Sequence, residues 1–125
     1  MSEPSKEGRS AEILFKVRLD ERNRPVSIDW SASDSDVDGD RKTKSIMLSV
    51  WNEEEQRAMH IDLWTPGMLV DEMKMFVFQT LITMADTLEL AAGEKAMANE
   101  MRGFGEQFAQ KMGFRRAETP DANDS

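Results

Sequence analysis

The spacing of apolar residues changes once along the chain, and this change limits the folds that are possible. Before about residue 65, apolar and polar residues alternate, which is typical of strands with one buried face. From Met68 to about Ala91 there is no Gly or Pro, and apolar residues recur at helical spacing. Strands first and helices second predict an α+β fold rather than alternating βαβ units.

The strand region contains two predicted hairpins, whose turns are DERNRP and NEEEQR. One register in each hairpin keeps all apolar residues on one face, whereas a slip of one residue would divide them between both faces. The favoured pairs are Phe15–Trp30, Val17–Ile28, Leu19–Val26, Ile46–Leu63, Leu48–Ile61 and Val50–Met59. The simplest assembly is a four-stranded antiparallel meander with one face to the core and a polar loop over 32–43.

The first predicted helix runs from Met68 to about Ala91, with Asp71 and Glu72 in the first turn, where the helix dipole favours negative charge. Gly93 is the expected stop.

The second predicted helix runs from about Glu94 to Met112 and closes at Gly113. Gly103 and Gly105 inside it each cost about 1 kcal/mol relative to Ala, which indicates a close approach to the sheet or to the first helix. Its apolar stripe is expected to comprise Met97, Met101, Phe104, Phe108 and Met112.

The predicted architecture is two-layer, β-β-β-β-α-α, with both helices packed on one face of the meander. It occupies residues 11–114 as a single domain. Residues 1–10 and 115–125 are polar tails that cannot bury enough apolar area to offset the entropy of ordering, so they are expected to be disordered.

Charge and composition narrow the function. The chain has 125 residues, 24 Asp+Glu against 16 Lys+Arg, and a net charge of −8, which disfavours nucleic acid and anionic membrane surfaces as partners. The absence of Cys excludes disulfides, thiolate zinc sites and a cysteine nucleophile. No secretory signal is visible and no run approaches the ~18–20 apolar residues of a membrane span, so a cytoplasmic protein without membrane insertion is expected.

Catalytic signals are weak. His60 and Asp62 lie at i and i+2 on the fourth predicted strand, where a carboxylate could orient an imidazole for general-base work. No activated nucleophile accompanies them and no Gly-rich phosphate loop occurs, so we interpret both as surface positions and expect no enzyme activity and no cofactor.

An acidic loop matches the start of a calcium-binding pattern, D-x-D-x-D-G. The candidate ligands are Asp34, Asp36 and Asp38. The twelfth position, which should be a bidentate Glu, is Ser45, and the flanks read as strands. The alternative is an acidic loop tip that binds no metal.

The first helix carries an apolar arc of roughly 200°, about twice what a helix on one side of a sheet needs. Either the sheet and second helix bury it all, or part of it forms a homo-oligomer seam or a client groove. Trp51 and Trp64 fall on the outward sheet face, and aromatic residues are enriched in interface cores. The predicted partner-binding residues are Trp51, Trp64, Met75, Phe78 and Ile82.

Four segments are similar to the GldC family of gliding motility-associated proteins. They are SIDWSA (27–32), IMLSVWNEEEQ (46–56), IDLWTPGMLVDEMKMFVFQTLITMADTLE (61–89) and FAQKM (108–112). The resemblance implies a small cytoplasmic accessory protein of the gliding apparatus, or of the linked secretion machinery, that acts through protein–protein contacts. It implies no enzyme activity, cofactor or catalytic residue.

The β-β-β-β-α-α order and the acidic charge also resemble the export chaperone SecB. That resemblance is one of architecture alone, and it implies apolar grooves that hold unfolded export clients. Together with the wide apolar arc of the first helix, these resemblances lead us to expect a homo-oligomer.

Overall fold

A computed structural model describes residues 8–33 and 41–113 of the chain. It confirms an α+β fold, with antiparallel strands followed by two helices. The chain divides after Met68 into two compact units, a strand unit and a helical unit. The elements are β1 (Ile13–Leu19), β2 (Pro25–Ala32), β3 (Arg41–Thr43), β4 (Ser45–Asn52), β5 (Arg57–Trp64), α1 (Val70–Ala92) and α2 (Lys95–Met112).

The predicted four-stranded meander is wrong, because the strands form two small sheets. One sheet has the order β1-β2-β3 and the other pairs β4 with β5. Residues Arg41–Thr43, which the sequence placed in a polar loop, pair with β2 as a third strand. The chain then passes from the first sheet to the second within one residue, Lys44.

Polar contacts hold β3 in place, which explains why hydrophobic alternation does not reveal it. The Lys42 ammonium lies 2.9 Å from the Asp29 carboxylate on β2. The Arg41 guanidinium lies 5.4 Å from the centre of the Trp30 ring, at cation–π distance. This three-residue strand without an apolar side chain is thus held by its backbone pairing with β2, with the ion pair and the ring contact adding to it.

The junction at Lys44 is closed by hydroxyl groups. The Lys44 carbonyl oxygen accepts hydrogen bonds from the Thr65 backbone N–H at 2.9 Å and from the Thr65 hydroxyl at 3.1 Å. The Ser45 hydroxyl donates to the Leu63 carbonyl at 3.0 Å. Ser45 and Thr65 are buried, and these bonds satisfy hydroxyls that would otherwise carry a desolvation cost.

The predicted registers are confirmed at five of the six pairs. Both hairpins keep the expected partners at Phe15–Trp30, Val17–Ile28 and all three pairs of β4 and β5. Leu19 pairs with Pro25 instead of Val26, since an irregularity between Arg18 and Leu19 shifts the register at the end of the hairpin.

Both helices end where the glycines predict. Gly93 adopts a φ of 72° after α1, and Gly113 a φ of 89° after α2, conformations that glycine enters without a Cβ clash. α1 begins at Val70, two residues later than predicted. The Glu72 carboxylate accepts a hydrogen bond from the Leu69 backbone N–H at 2.9 Å, which satisfies a donor at that end.

Small residues form the contact surface of α2, which corrects the predicted apolar stripe. Ala98, Gly105 and Ala109 are buried. Of the predicted stripe, Met97, Phe104 and Met112 are exposed, while Met101 and Phe108 are half-buried. A Cβ added at Gly105 would lie 2.7 Å from Ile82 Cδ1 of α1, whereas one added at Gly103 would meet nothing within 4 Å. The predicted close approach is therefore confirmed at Gly105, and the neighbour is the first helix.

The two glycines of α2 provide a matched pair of substitutions. We expect Gly103→Ala to raise the free energy of unfolding by about 0.5–1 kcal/mol. Alanine loses less backbone entropy than glycine on folding, and its Cβ would meet no other atom at this position. Gly105→Ala should gain less or lose stability, since Ile82 must move and overpacking costs about 1–3 kcal/mol. Urea unfolding of the full chain measures both, and equal gains would contradict the close contact.

Candidate functional site

The hairpin of β4 and β5 exposes large apolar side chains on the face that we call the tryptophan face, defined by Met47, Trp51 and Trp64. Trp51 is 61% exposed and Trp64 is 59% exposed, near opposite ends of the hairpin. Met47 lies between them and is also exposed. The sequence expectation that both tryptophans point outward agrees with these exposures. Whether they contact a partner stays a prediction.

The opposite face of the same hairpin, which we call the aliphatic face, was expected to line the core. Three of its members are instead largely exposed: Val50 (54%), Met59 (47%) and Ile61 (51%). The other three, Ile46, Leu48 and Leu63, are half-buried. The hairpin therefore presents apolar groups on both faces, and sequence reasoning missed the second because it assigned every alternating residue to the interior.

A polar turn keeps the hairpin in one conformation. The Asn52 side-chain carbonyl accepts a hydrogen bond from the Glu55 backbone N–H at 2.9 Å. The Gln56 N–H donates to the Asn52 carbonyl at 2.8 Å, with Gln56 itself at a φ of 57°. Fixing the turn fixes the pairing of the strands, and hence the separation of the two exposed tryptophans.

The helical residues predicted to bind a partner are less exposed than the tryptophans. Met75, Phe78 and Ile82 are half-buried, and Ile82 lies against Gly105 of α2. Val77 and Met84, on another part of the same apolar arc, are the exposed members. A partner role for Met75, Phe78 and Ile82 stays a prediction.

A shallow groove of about 430 Å³ lies in the helical unit. It is lined by Thr83, Met84, Thr87, Leu88 and Met101. Beside it, the Arg102 guanidinium lies 2.8 Å from both the Asp86 and the Glu89 carboxylates of α1. Hydrogen bonds to Asp86 and then Glu89 raise the pKa of Arg102, so the guanidinium that links the two helices stays charged at all physiological pH values.

A second cavity, also of about 430 Å³, lies in the strand unit between the β1–β2 turn and the end of β5. We call it the turn pocket. Its walls combine apolar groups with two carboxylates and one guanidinium. It is lined by Asp20, Arg24, Pro25, Asp62, Leu63, Trp64 and Pro66. Sequence reasoning missed it because its two sides come from different hairpins.

Asp20 organises the turn side of that pocket. Its carboxylate accepts hydrogen bonds from the backbone N–H groups of Arg22 at 2.8 Å and Arg24 at 3.0 Å, and from Arg24 Nε at 3.1 Å. The bond from the Arg24 backbone N–H is the main cause that holds the pKa of Asp20 below its ordinary value. Loss of hydration is the next largest influence and opposes it, while the Arg22 N–H and the Arg24 side chain lower the pKa further.

His60 and Asp62 do not form the pair that general-base chemistry needs. The His60 Nδ1 atom lies 2.8 Å from the Ser49 hydroxyl on the neighbouring strand. Asp62 lines the turn pocket, whereas His60 does not. The structure thus places the imidazole in a cross-strand contact and the carboxylate in a separate cavity.

The calcium candidates Asp34, Asp36 and Asp38 lie outside the described residues. Across residues 8–33 and 41–113, no three His, Asp or Glu side chains converge in a way that could hold a metal ion.

One described helix, α1, is long and apolar enough to cross a membrane by length and composition, and little of it is buried. This finding differs from the expectation that no apolar run approaches that length. The same helix carries Asp86 and Glu89, which pair with Arg102 of α2. The expectation that the chain does not insert into a membrane stays a prediction.

Comparison with known proteins identifies the family of the chain. The family described as gliding motility-associated protein GldC-like matches residues 25–114, which begins at β2 and includes both helices. No curated protein and no solved structure matches the chain significantly.

The lowered pKa of Asp20 predicts a pH dependence. A depressed folded-state pKa stabilises the protein fully above the ordinary value of 3.8, and this contribution disappears as the pH falls through the folded-state value. We expect Asp20→Asn to flatten the fall in the free energy of unfolding between about pH 5 and pH 2. Urea unfolding at several pH values measures it.

Glu21→Gln is the matched control, since Glu21 lies in the same turn and its side chain makes no hydrogen bond or ion pair to any described residue. The control should keep the wild-type pH dependence. An Asp20→Asn curve parallel to wild type would show that the hydrogen-bonded carboxylate does not stabilise the fold.

Proposed function

Because the chain belongs to the GldC-like family, we propose that it is a non-enzymatic, cytoplasmic accessory protein that supports gliding motility or the linked secretion machinery by protein–protein contacts. The family supplies the association with gliding motility. The observation that carries the contact mechanism is the exposure of Trp51 and Trp64 on the tryptophan face.

Exposed tryptophans in this arrangement suit a binding surface. Trp is among the residues most enriched at binding hot spots, because a large flat ring buries much area with little loss of side-chain entropy. Fully burying one large apolar side chain contributes about 1.5–3 kcal/mol, so two such rings could supply a substantial part of a stable contact. The proposed partner-binding set is Trp51 and Trp64, together with Met75, Phe78 and Ile82 of α1.

Self-association is part of the same proposal, and the aliphatic face supports it. A two-stranded hairpin is marginal alone in water and is stabilised when further strands or packing cover an apolar face. A second copy of the chain, with the same face, would meet this need by two-fold symmetry. Both proposed contacts can form at once, since the aliphatic and tryptophan faces lie on opposite sides of the hairpin.

A gliding host that lacks the gene provides the functional test. We expect the wild-type chain to restore colony spreading. The double variant Trp51→Ser, Trp64→Ser should fail, because it lacks the two indole rings that are proposed to contact the partner. Glu54→Gln, in the exposed turn of the same hairpin, is the control and should restore spreading. Circular dichroism and expression level verify that the double variant is folded and present.

Full complementation by the double variant would contradict a role for the tryptophan face. The client-holding alternative, a SecB-like chaperone, is favoured by the groove that contains Met84 and Met101, since methionine adapts to varied partners. It would replace our proposal if Met84→Ser abolished spreading while the tryptophan variant restored it.

The oligomeric state tests the aliphatic face. We expect light scattering at tens of micromolar to give a mass above the 14.2 kDa of one chain. Ile61→Lys should shift the protein toward the monomer, because it places a charge in the centre of the contact. Glu54→Gln changes the net charge by the same amount away from this face and should leave the mass unchanged. A wild-type monomer would remove the self-association.

A further inference from the structure

We propose that the turn pocket binds the cationic side chain of an Arg or Lys residue from a partner protein. The inference rests on the proposed function only in taking the ligand to be part of a protein. It adds what the family match does not give, which is the chemistry of the recognised residue and the groups that recognise it.

The apolar walls of the pocket suit the stem and the flat head of such a side chain. Pro25, Leu63, Trp64 and Pro66 line it, and the two prolines have fixed φ angles that keep the backbone there stiff. Trp64 is 59% exposed, so its ring is accessible. A cation within about 6 Å of a tryptophan ring is attracted by the negative face of the π-system, and a planar guanidinium can also stack on it.

The two carboxylates of the pocket differ in availability. Asp20 is occupied by three donors from Arg22 and Arg24 within its own turn. The Asp62 carboxylate makes no hydrogen bond or ion pair with any described residue. Arg24 is paired with Asp20, so Asp62 leaves the pocket with one uncompensated negative charge.

Asp62 and Trp64 stand two residues apart on β5 and therefore point to the same face of the strand. A cation that stacks on the indole ring is then near the carboxylate, and an Arg or Lys head group can donate a hydrogen bond to it. Such a charge-assisted bond is stronger than one between neutral groups.

Both kinds of contact occur elsewhere in the chain. On β2, Lys42 lies 2.9 Å from the Asp29 carboxylate, and Arg41 lies 5.4 Å from the Trp30 ring centre. Asp29 and Trp30 are adjacent and point to opposite faces of β2, so each takes its own cation. Asp62 and Trp64 share one face of β5, and no described residue supplies a cation to either of them.

The charge of the whole chain acts in the same direction. A net charge of −8 attracts cationic partners at long range and repels anionic ones. Surface charges are screened by salt, so binding that depends on this attraction should weaken as the ionic strength increases.

Peptide titration of the full-length chain tests the proposal. The probe is acetyl-Gly-Arg-Gly-Arg-Gly-amide, and its twin carries citrulline, which keeps the shape of arginine and removes the charge. The indole N–H signals of the three tryptophans report the location, with Trp64 assigned from its loss in Trp64→Leu. We expect saturable shifts at Trp64 with the arginine peptide, at least tenfold weaker binding of the citrulline peptide, and weaker binding at high salt.

Two variants test the named groups. Asp62→Asn should weaken binding of the arginine peptide about tenfold or more, with the Trp30 and Trp51 signals unchanged as evidence of an intact fold. Glu54→Gln also removes one negative charge, in the exposed turn at the far end of the hairpin, and should bind as wild type does.

Four results would each overturn the proposal: no shift at millimolar peptide, equal binding of both twins, unchanged binding by Asp62→Asn, or equal binding of acetyl-Gly-Pro-Pro-Pro-Pro-Gly-amide, which would mark a proline-recognition groove. Asp62→Asn keeps both tryptophans. If it binds peptide as wild type does, while the double tryptophan variant still fails to restore gliding, only the pocket proposal has failed.

Discussion

A sheet of only two strands is marginally stable unless other parts of the protein or a partner pack against it, and the break at Lys44 leaves β4 and β5 as such a sheet. The exposure of the tryptophan face and of the aliphatic face follows from this constraint. If β3 and β4 had formed one continuous strand, all strands would have joined in one wider sheet. One face of that sheet could then have packed against a core. Instead, the hydrogen bonds of Ser45 and Thr65 stabilise a junction between a sheet of three strands and a sheet of two. Apolar side chains therefore remain exposed on both faces of the β4–β5 hairpin.

The sequence predicts local pairing well and the division of the sheet poorly, for a physical reason. Alternation and turn residues fix the register, so Val17–Ile28 and Leu48–Ile61 pair as expected. The strand Arg41–Thr43 has no alternation, because an ion pair and a ring contact stabilise it. Periodicity also does not predict exposure. It identifies which residues share a face, Ile61 among them, but not whether anything covers that face.

The candidate sites show the same limits. The outward position of Trp51 and Trp64 could be predicted, since both fall out of phase with the apolar residues of their strands. The turn pocket could not, because Asp20 and Asp62 are joined only through the three-dimensional arrangement of two hairpins. The contact face of α2 was misassigned because large residues dominate a hydrophobicity pattern, whereas close helix packing uses small ones such as Gly105.

The unequal lengths of the two helices have a dynamic consequence. α1 has 23 residues and α2 has 18, with only two residues between them, so α1 extends about 7–8 Å past its neighbour at a rise of 1.5 Å per residue. The part that extends is the amino-terminal end of α1, where Val70 is 71% exposed. The Glu72 carboxylate accepts the Leu69 N–H at the start of this helix. We therefore expect the amides of this end to exchange with solvent before those beside Gly105.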